Sequence, residues 1–179
     1  MGKKKKQDRY PITMGVRQLR EHDAVFEPKL YTYVERGGTR VSSEELGVPE
    51  HSVIKTLIFE DQDGEPLVIL QHGDREVAPG LLAKAIGQKS TRPCLPEVAQ
   101  KHTGYLVGGT SPFGIKTAMP IYAEETIFDL EHICINAGKR GFLIEISTAE
   151  LDRVLQPTRV AVAQPDAEDA SDDAPWYTK

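Results

Sequence analysis

The chain predicts an α+β fold in a single domain. Three observations carry that expectation. Strand-like alternation and helix caps both occur along it, they do not follow a regular βαβ rhythm, and two apolar runs face each other across a hairpin signal. Those runs are VIKTLIF (53–59) and PLVIL (66–70), joined by EDQDGE, whose Asp63-Gly64 favours a tight turn.

Taken in order, Thr13 caps a short helix running to about Ala24, with Val16 and Leu19 facing inward. FEPKLYTYV then alternates, with Leu30, Thr32 and Val34 on one face and Tyr31 and Tyr33 on the other, as a half-buried strand does. Ser42 and Glu45 have capping-box spacing for a helical turn ending near Gly47. After the hairpin, helices are expected at about 78–86 and 95–102, followed by a glycine-rich loop. HICINA and FLIEI read as strands around the turn Gly138-Lys139-Arg140-Gly141, and Ser147 with Glu150 caps a last helix. No internal repeat is visible.

At 179 residues and 39% hydrophobic content, one globular domain burying roughly two-thirds of its unfolded surface is expected. The ends differ from the middle. Residues 1–9 carry +4 and residues 164–179 carry −4, which leaves −5 on residues 10–163. The expected organisation is a basic N-terminus at 1–12, a folded body at 13–163 and an acidic, disordered tail at 164–179. An acidic body argues against non-specific grip on nucleic acid, which comes from Lys and Arg displacing counterions at phosphates. No run approaches 18 apolar residues, so no membrane span is expected, and Lys3–Lys6 leads into QDRYP rather than the apolar stretch of a secretory signal. Cys94 and Cys134 stand far apart. They indicate neither a zinc site nor a disulfide framework, and read as buried thiols in a reducing cytoplasm.

The densest glycine cluster is GYLVGGTSPFG (104–114). It is not a phosphate-binding loop, because Ile115 intervenes where Lys should follow the last glycine. It is not a hydrolase nucleophile elbow at Ser111 either, since Pro112 has no N–H to offer an oxyanion. Turn chemistry on the surface explains scattered glycines; a pocket lined by main chain explains a cluster. Lys55 is the outlier in VIKTLIF. It reads either as a sheet-edge residue with its amine in solvent or as a cation aimed into a pocket, and composition favours the edge. The five histidines are single, without metal-ligand spacing, and no Ser–His–Asp set can be assigned.

KTL at 55–57, TGYLVGGTSPFG at 103–114 and AGKRG at 137–141 together resemble the YbaK family, free-standing relatives of the editing domain of bacterial prolyl-tRNA synthetase. The resemblance runs in order from about residue 13 to residue 163. It implies an α+β fold on a mixed, strongly curved sheet with flanking helices, and hydrolysis of the ester joining a mischarged amino acid to tRNA, with Cys-tRNA(Pro) the implied substrate. By position it implies Lys55 as the catalytic cation. It implies Tyr33, Thr56, Gly108, Gly109, Ser111, Pro112, Gly114, Asn136 and Gly138 as substrate-binding. Ala137 stands where many relatives have glycine, and Leu143 where some carry Asp, so no carboxylate role is implied there. The resemblance implies that the substrate's own thiol attacks the ester in this branch, so no metal, no cofactor and no protein nucleophile are expected. The implied partners are aminoacyl-tRNA and prolyl-tRNA synthetase, in the cytoplasm. The alternatives are a deacylase for alanine or serine on tRNA, and a non-catalytic module that binds aminoacyl-tRNA or a synthetase.

Overall fold

The computed structural model describes residues 9–165; the basic run Lys3–Lys6 and the acidic stretch from 166 onward lie outside them. The expected mixed sheet with flanking helices is present. Eight strands run β1 (Phe26–Leu30), β2 (Val53–Asp61), β3 (Pro66–His72), β4 (Thr91–Pro93), β5 (Ile121–Glu124), β6 (His132–Lys139), β7 (Phe142–Ser147) and β8 (Thr158–Val160). Their order across the sheet is β1-β7-β6-β2-β3-β5-β8, with β4 also on β2. The hairpins β2–β3 and β6–β7 are antiparallel, whereas β2 meets β6, β3 meets β5 and β5 meets β8 in parallel.

Five helices pack around it: α1 (Met14–Glu21), α2 (Gly38–Leu46), α3 (Pro79–Ile86), α4 (Pro96–Thr103) and α5 (Thr148–Leu155). Thr13 caps α1 by accepting from Val16 N–H, and Ser147 caps α5 by accepting from Glu150 N–H, as their sequences predict. Val16 and Leu19 are fully buried in the main core with Ile54, Val68, Phe113, Phe142 and Ile144. A second cluster around Phe59, Ile69, Leu82 and Val162 fills the other side of the central hairpin.

Three expectations differ. The strand after residue 26 stops at Leu30, where Tyr31 N–H turns to Gly141 C=O (3.0 Å). Beyond it Tyr31 and Tyr33 are half-buried while Val34 is exposed. Pro28 is tolerated because β1 is an edge strand. The Ser42–Glu45 capping box does not form, because α2 starts a turn earlier, capped by Gly37. Both Ser42 and Ser43 instead bond back to carbonyls within it, and Glu45 accepts from Thr32 N–H (3.0 Å). Finally, β2 is no edge strand: β3 pairs along one side of it, β6 and β4 along the other.

Candidate active site

The second side of β2 is only partly covered. β6 pairs with Val53 and Ile54 and β4 with Phe59 to Asp61, which leaves Lys55 to Ile58 without a strand neighbour there. Main-chain direction follows from two hydrogen bonds. Ile58 C=O accepts from Cys94 N–H (2.9 Å), and Val68 N–H donates to Pro120 C=O (2.9 Å). Ile58 and Val68 face each other across the β2–β3 seam, so both turn their main chain away from it. Strand geometry repeats every two residues, so the Thr56 N–H and C=O also point out of the seam, into the gap.

That gap opens into a cavity of about 690 Å³, within the range of small-ligand sites. Alternate residues of β2 project from opposite faces, yet Lys55 and Thr56 both line it because it wraps around the free edge. The Lys55 side chain is 17% exposed, and its ammonium donates to Arg75 C=O and to Glu76 Oε1 (3.0 Å). Two of three N–H donors are thereby used and the third remains. Thr56 Oγ1 is buried with no hydrogen-bond partner. An orphan hydroxyl of this kind carries a desolvation cost of about 1–3 kcal/mol.

Tyr33 and Gly108 line the cavity as well. Gly108 has φ +90°, in the region that only glycine enters readily, and its carbonyl accepts from Asn136 Nδ2 (3.3 Å). Asn136 holds the turn at the end of β6: its Oδ1 accepts from Gly138 N–H (2.7 Å) and Lys139 N–H (3.1 Å), while Nδ2 also donates to Lys139 C=O (3.2 Å). Leu143, 4% exposed, adds an apolar patch to the wall.

Lys55, Tyr33, Thr56, Gly108 and Asn136 thus meet at one cavity. Gly109, Ser111, Pro112, Gly114 and Gly138 lie away from its lining, packed against protein. Ser111 is fully buried and its Oγ accepts from Phe113 N–H (3.2 Å); Pro112 is buried beside it. Gly109 lies on the Lys139–Arg140 backbone, Gly114 on that of Met14, and Gly138 on the Tyr105 ring. A Cβ on Gly114 would sit 2.4 Å from the Met14 carbonyl carbon. These positions let the loop, α1 and the β6–β7 turn close on one another. Sequence reading missed Arg140, which lines the mouth with its guanidinium over the Tyr33 ring (5.1 Å); its signal was an arginine inside a two-glycine turn.

Neither cysteine is primed as a nucleophile. Burial, with the Glu60 carboxylate adding to it, pushes the Cys94 thiol up to about 11; burial and Glu145 do the same to Cys134, also to about 11. His51, His72 and Asp74 bring ligand atoms within 4.8 Å of one another. The two rings, however, are stacked 3.7 Å apart at 9°, so their in-plane lone pairs run side by side rather than converging on one ion. Both His72 nitrogens are also used, Nδ1–H donating to His51 C=O (2.6 Å) and Nε2 paired with the Thr126 hydroxyl (2.9 Å). This is the geometry of a structural stack.

Residues 39–154 match the family model described as aminoacyl-tRNA editing domain. A protein of Enterococcus faecalis named EbsC, a proposed Cys-tRNA(Pro)/Cys-tRNA(Cys) deacylase, is 31% identical over 148 residues, covering 82% of this chain and 88% of that one. A proline–tRNA ligase of Nitratidesulfovibrio vulgaris is 37% identical over 79 residues, 44% of this chain and 14% of the ligase. The fold is that of a crystal structure of a proposed trans-editing enzyme for prolyl tRNA synthetase, at TM-score 0.73 and 17% identity, covering 87% of this chain and 100% of that one. Among the described residues, no helix is long and apolar enough to cross a membrane.

Proposed function

This chain belongs to the aminoacyl-tRNA editing domain family, and from that premise we propose that it is a deacylase removing cysteine from tRNA for proline, with residues 13–163 as the working unit. The observation that carries the reading is that the Lys55 ammonium, with a donor to spare, and the uncovered main chain of Thr56 meet at one largely apolar cavity. A cation and a main-chain N–H aimed into the same cavity suit a ligand with an ester to polarise.

In the proposed step the substrate's thiol sulfur adds to its own ester carbonyl. A C–S bond forms, the C–O bond to the ribose breaks, and the thiol proton ends on the departing ribose oxygen. Water then opens the resulting thiolactone. Negative charge develops on the carbonyl oxygen, and Lys55 with the free Thr56 N–H stabilises it. The high thiol pKa of Cys94 and the burial of Ser111 away from the cavity agree with a site that supplies no nucleophile of its own. The tRNA would be presented by prolyl-tRNA synthetase in the cytoplasm, because the aminoacyl end says nothing about which tRNA bears it.

Leu143 favours a second reading, in which the apolar wall accepts alanine. Purified protein incubated with radiolabelled cysteinyl-, alanyl- and seryl-tRNA decides between them. Release of cysteine first, accelerated by added synthetase, is expected; release of alanine alone selects the second reading, and release of none selects a binding module.

A further inference from the structure

The mouth of the cavity holds an arginine fixed on three sides. Arg140 sits in the β6–β7 turn, whose backbone Asn136 ties through Gly138 and Lys139. Its Nε donates to Val107 C=O (2.9 Å), and the face of its guanidinium lies over Tyr33. Exposed arginines ordinarily keep much of their rotamer freedom, and giving it up costs on the order of 1.5–2 kcal/mol. Among the described residues no carboxylate pairs with Arg140 to account for that ordering. Its Nη donors therefore stand pre-aimed, the arrangement suited to planar, two-pronged recognition of a phosphate.

The surroundings fit an RNA end. Arg36, exposed and at φ +60°, lines the same mouth. Val34 (49% exposed) and Val107 (45%) line it too, with Leu106 (54%) next in the chain. Exposed cations beside aliphatic surface suit a phosphate with the apolar face of an unpaired base against it. Of the carboxylates lining the cavity, Glu76 is taken by Lys55 and Glu35 remains. The positive charge is thus local, on a body whose net charge is −5.

We propose that Arg140 contacts the phosphate joining the last two nucleotides of the single-stranded acceptor end, holding the esterified adenosine at the cavity mouth. This rests on the reading that the cavity takes an aminoacyl ester. Arg140 positions the substrate and takes no part in the bond changes.

The test compares wild type with Arg140→Gln, which keeps a donor for Val107 C=O, and Arg140→Lys, which keeps the charge, on charged tRNA and on cysteinyl-adenosine, which has no phosphate. For Arg140→Gln, kcat/KM on charged tRNA should fall by about tenfold through KM, with a salt slope shallower by about one ion. Cysteinyl-adenosine should lose several-fold less than charged tRNA does, and Arg140→Lys should recover the salt slope. Equal loss on both substrates, or no loss on either, overturns the assignment. If wild type cleaves neither substrate, the deacylase reading has failed, and binding of an uncharged RNA ending in the acceptor sequence reads the contact instead. There, a salt slope unchanged by Arg140→Gln overturns it and a shallower one supports it.

Discussion

Tyr33 occupies the space that a side chain on Gly108 would need: a Cβ there would lie 2.7 Å from the Tyr33 hydroxyl oxygen. Together with φ +90° at Gly108, this makes the position doubly restrictive. Gly108→Ala should cost about 1–3 kcal/mol from the backbone alone and displace the tyrosine that supports Arg140. Adding Tyr33→Phe should relieve the contact but not the backbone strain, so chemical denaturation of the four variants should show partial rescue. Full rescue would mean the strain is absent.

Lys55→Ala should leave the fold intact and lower single-turnover deacylation by on the order of a hundredfold or more, the usual cost of removing a preorganised charge at a developing oxyanion. Near-wild-type turnover by folded protein would remove Lys55 from the mechanism.

Thr56→Val should separate stability from activity. The hydroxyl has no hydrogen-bond partner, so deleting it relieves a desolvation cost instead of breaking a bond, and the melting temperature should hold or rise. Deacylation should fall, chiefly in KM. A loss of stability of about 1 kcal/mol or more would show that the hydroxyl is satisfied within the protein.

The double variant Cys94→Ala, Cys134→Ala should retain activity, because burial keeps both thiols up at about 11. Alkylation of the wild type at pH 7.5 should accordingly be slow. Inactivation of the double variant with its circular dichroism unchanged would return a cysteine to the chemistry.

Stability should weaken on mild acidification. Burial holds the His72 imidazole below its ordinary 6.5, the nearby His51 ring adds to that, and the His51 carbonyl, Asp74 and Glu124 pull the other way. The unfolded chain then takes up the proton first as pH falls. The contribution is fully present above about 6.5 and is lost below it. Thermal melts from pH 7.5 to 5 should show this slope, flattened in His72→Gln; equal slopes in both proteins would assign it elsewhere.

Much of the fold was legible because local chemistry agreed with the final structure. Asp63-Gly64, the Thr13 and Ser147 caps and the apolar runs of β2, β3, β6 and β7 each needed no distant partner to be read. What escaped was set by distant pairing. β4, β5 and β8 are three or four residues long, too short to show a period, and exist because β2, β3 and β5 present free edges to them. Lys55 read as either an edge or a pocket residue for the same reason: its strand lies inside the sheet, but β4 and β6 leave its own stretch uncovered. The glycines of 104–114 were legible as a cluster but not by role, since only the three-dimensional arrangement shows Gly108 at the cavity and Gly114 against α1.

The uncovered stretch of β2 also defines a ruler. Its length is the distance between the last residue held by β6 and the first held by β4, Ile54 and Phe59. Sliding β4 two residues toward β6 would keep every side chain on its present face and shorten the opening by about 6.6 Å. Such a slide needs a longer α3–β4 connection and a shift of α4, which is separated from β4 by only two residues. The size of amino acid admitted would then change with Lys55, Thr56 and Gly108 untouched.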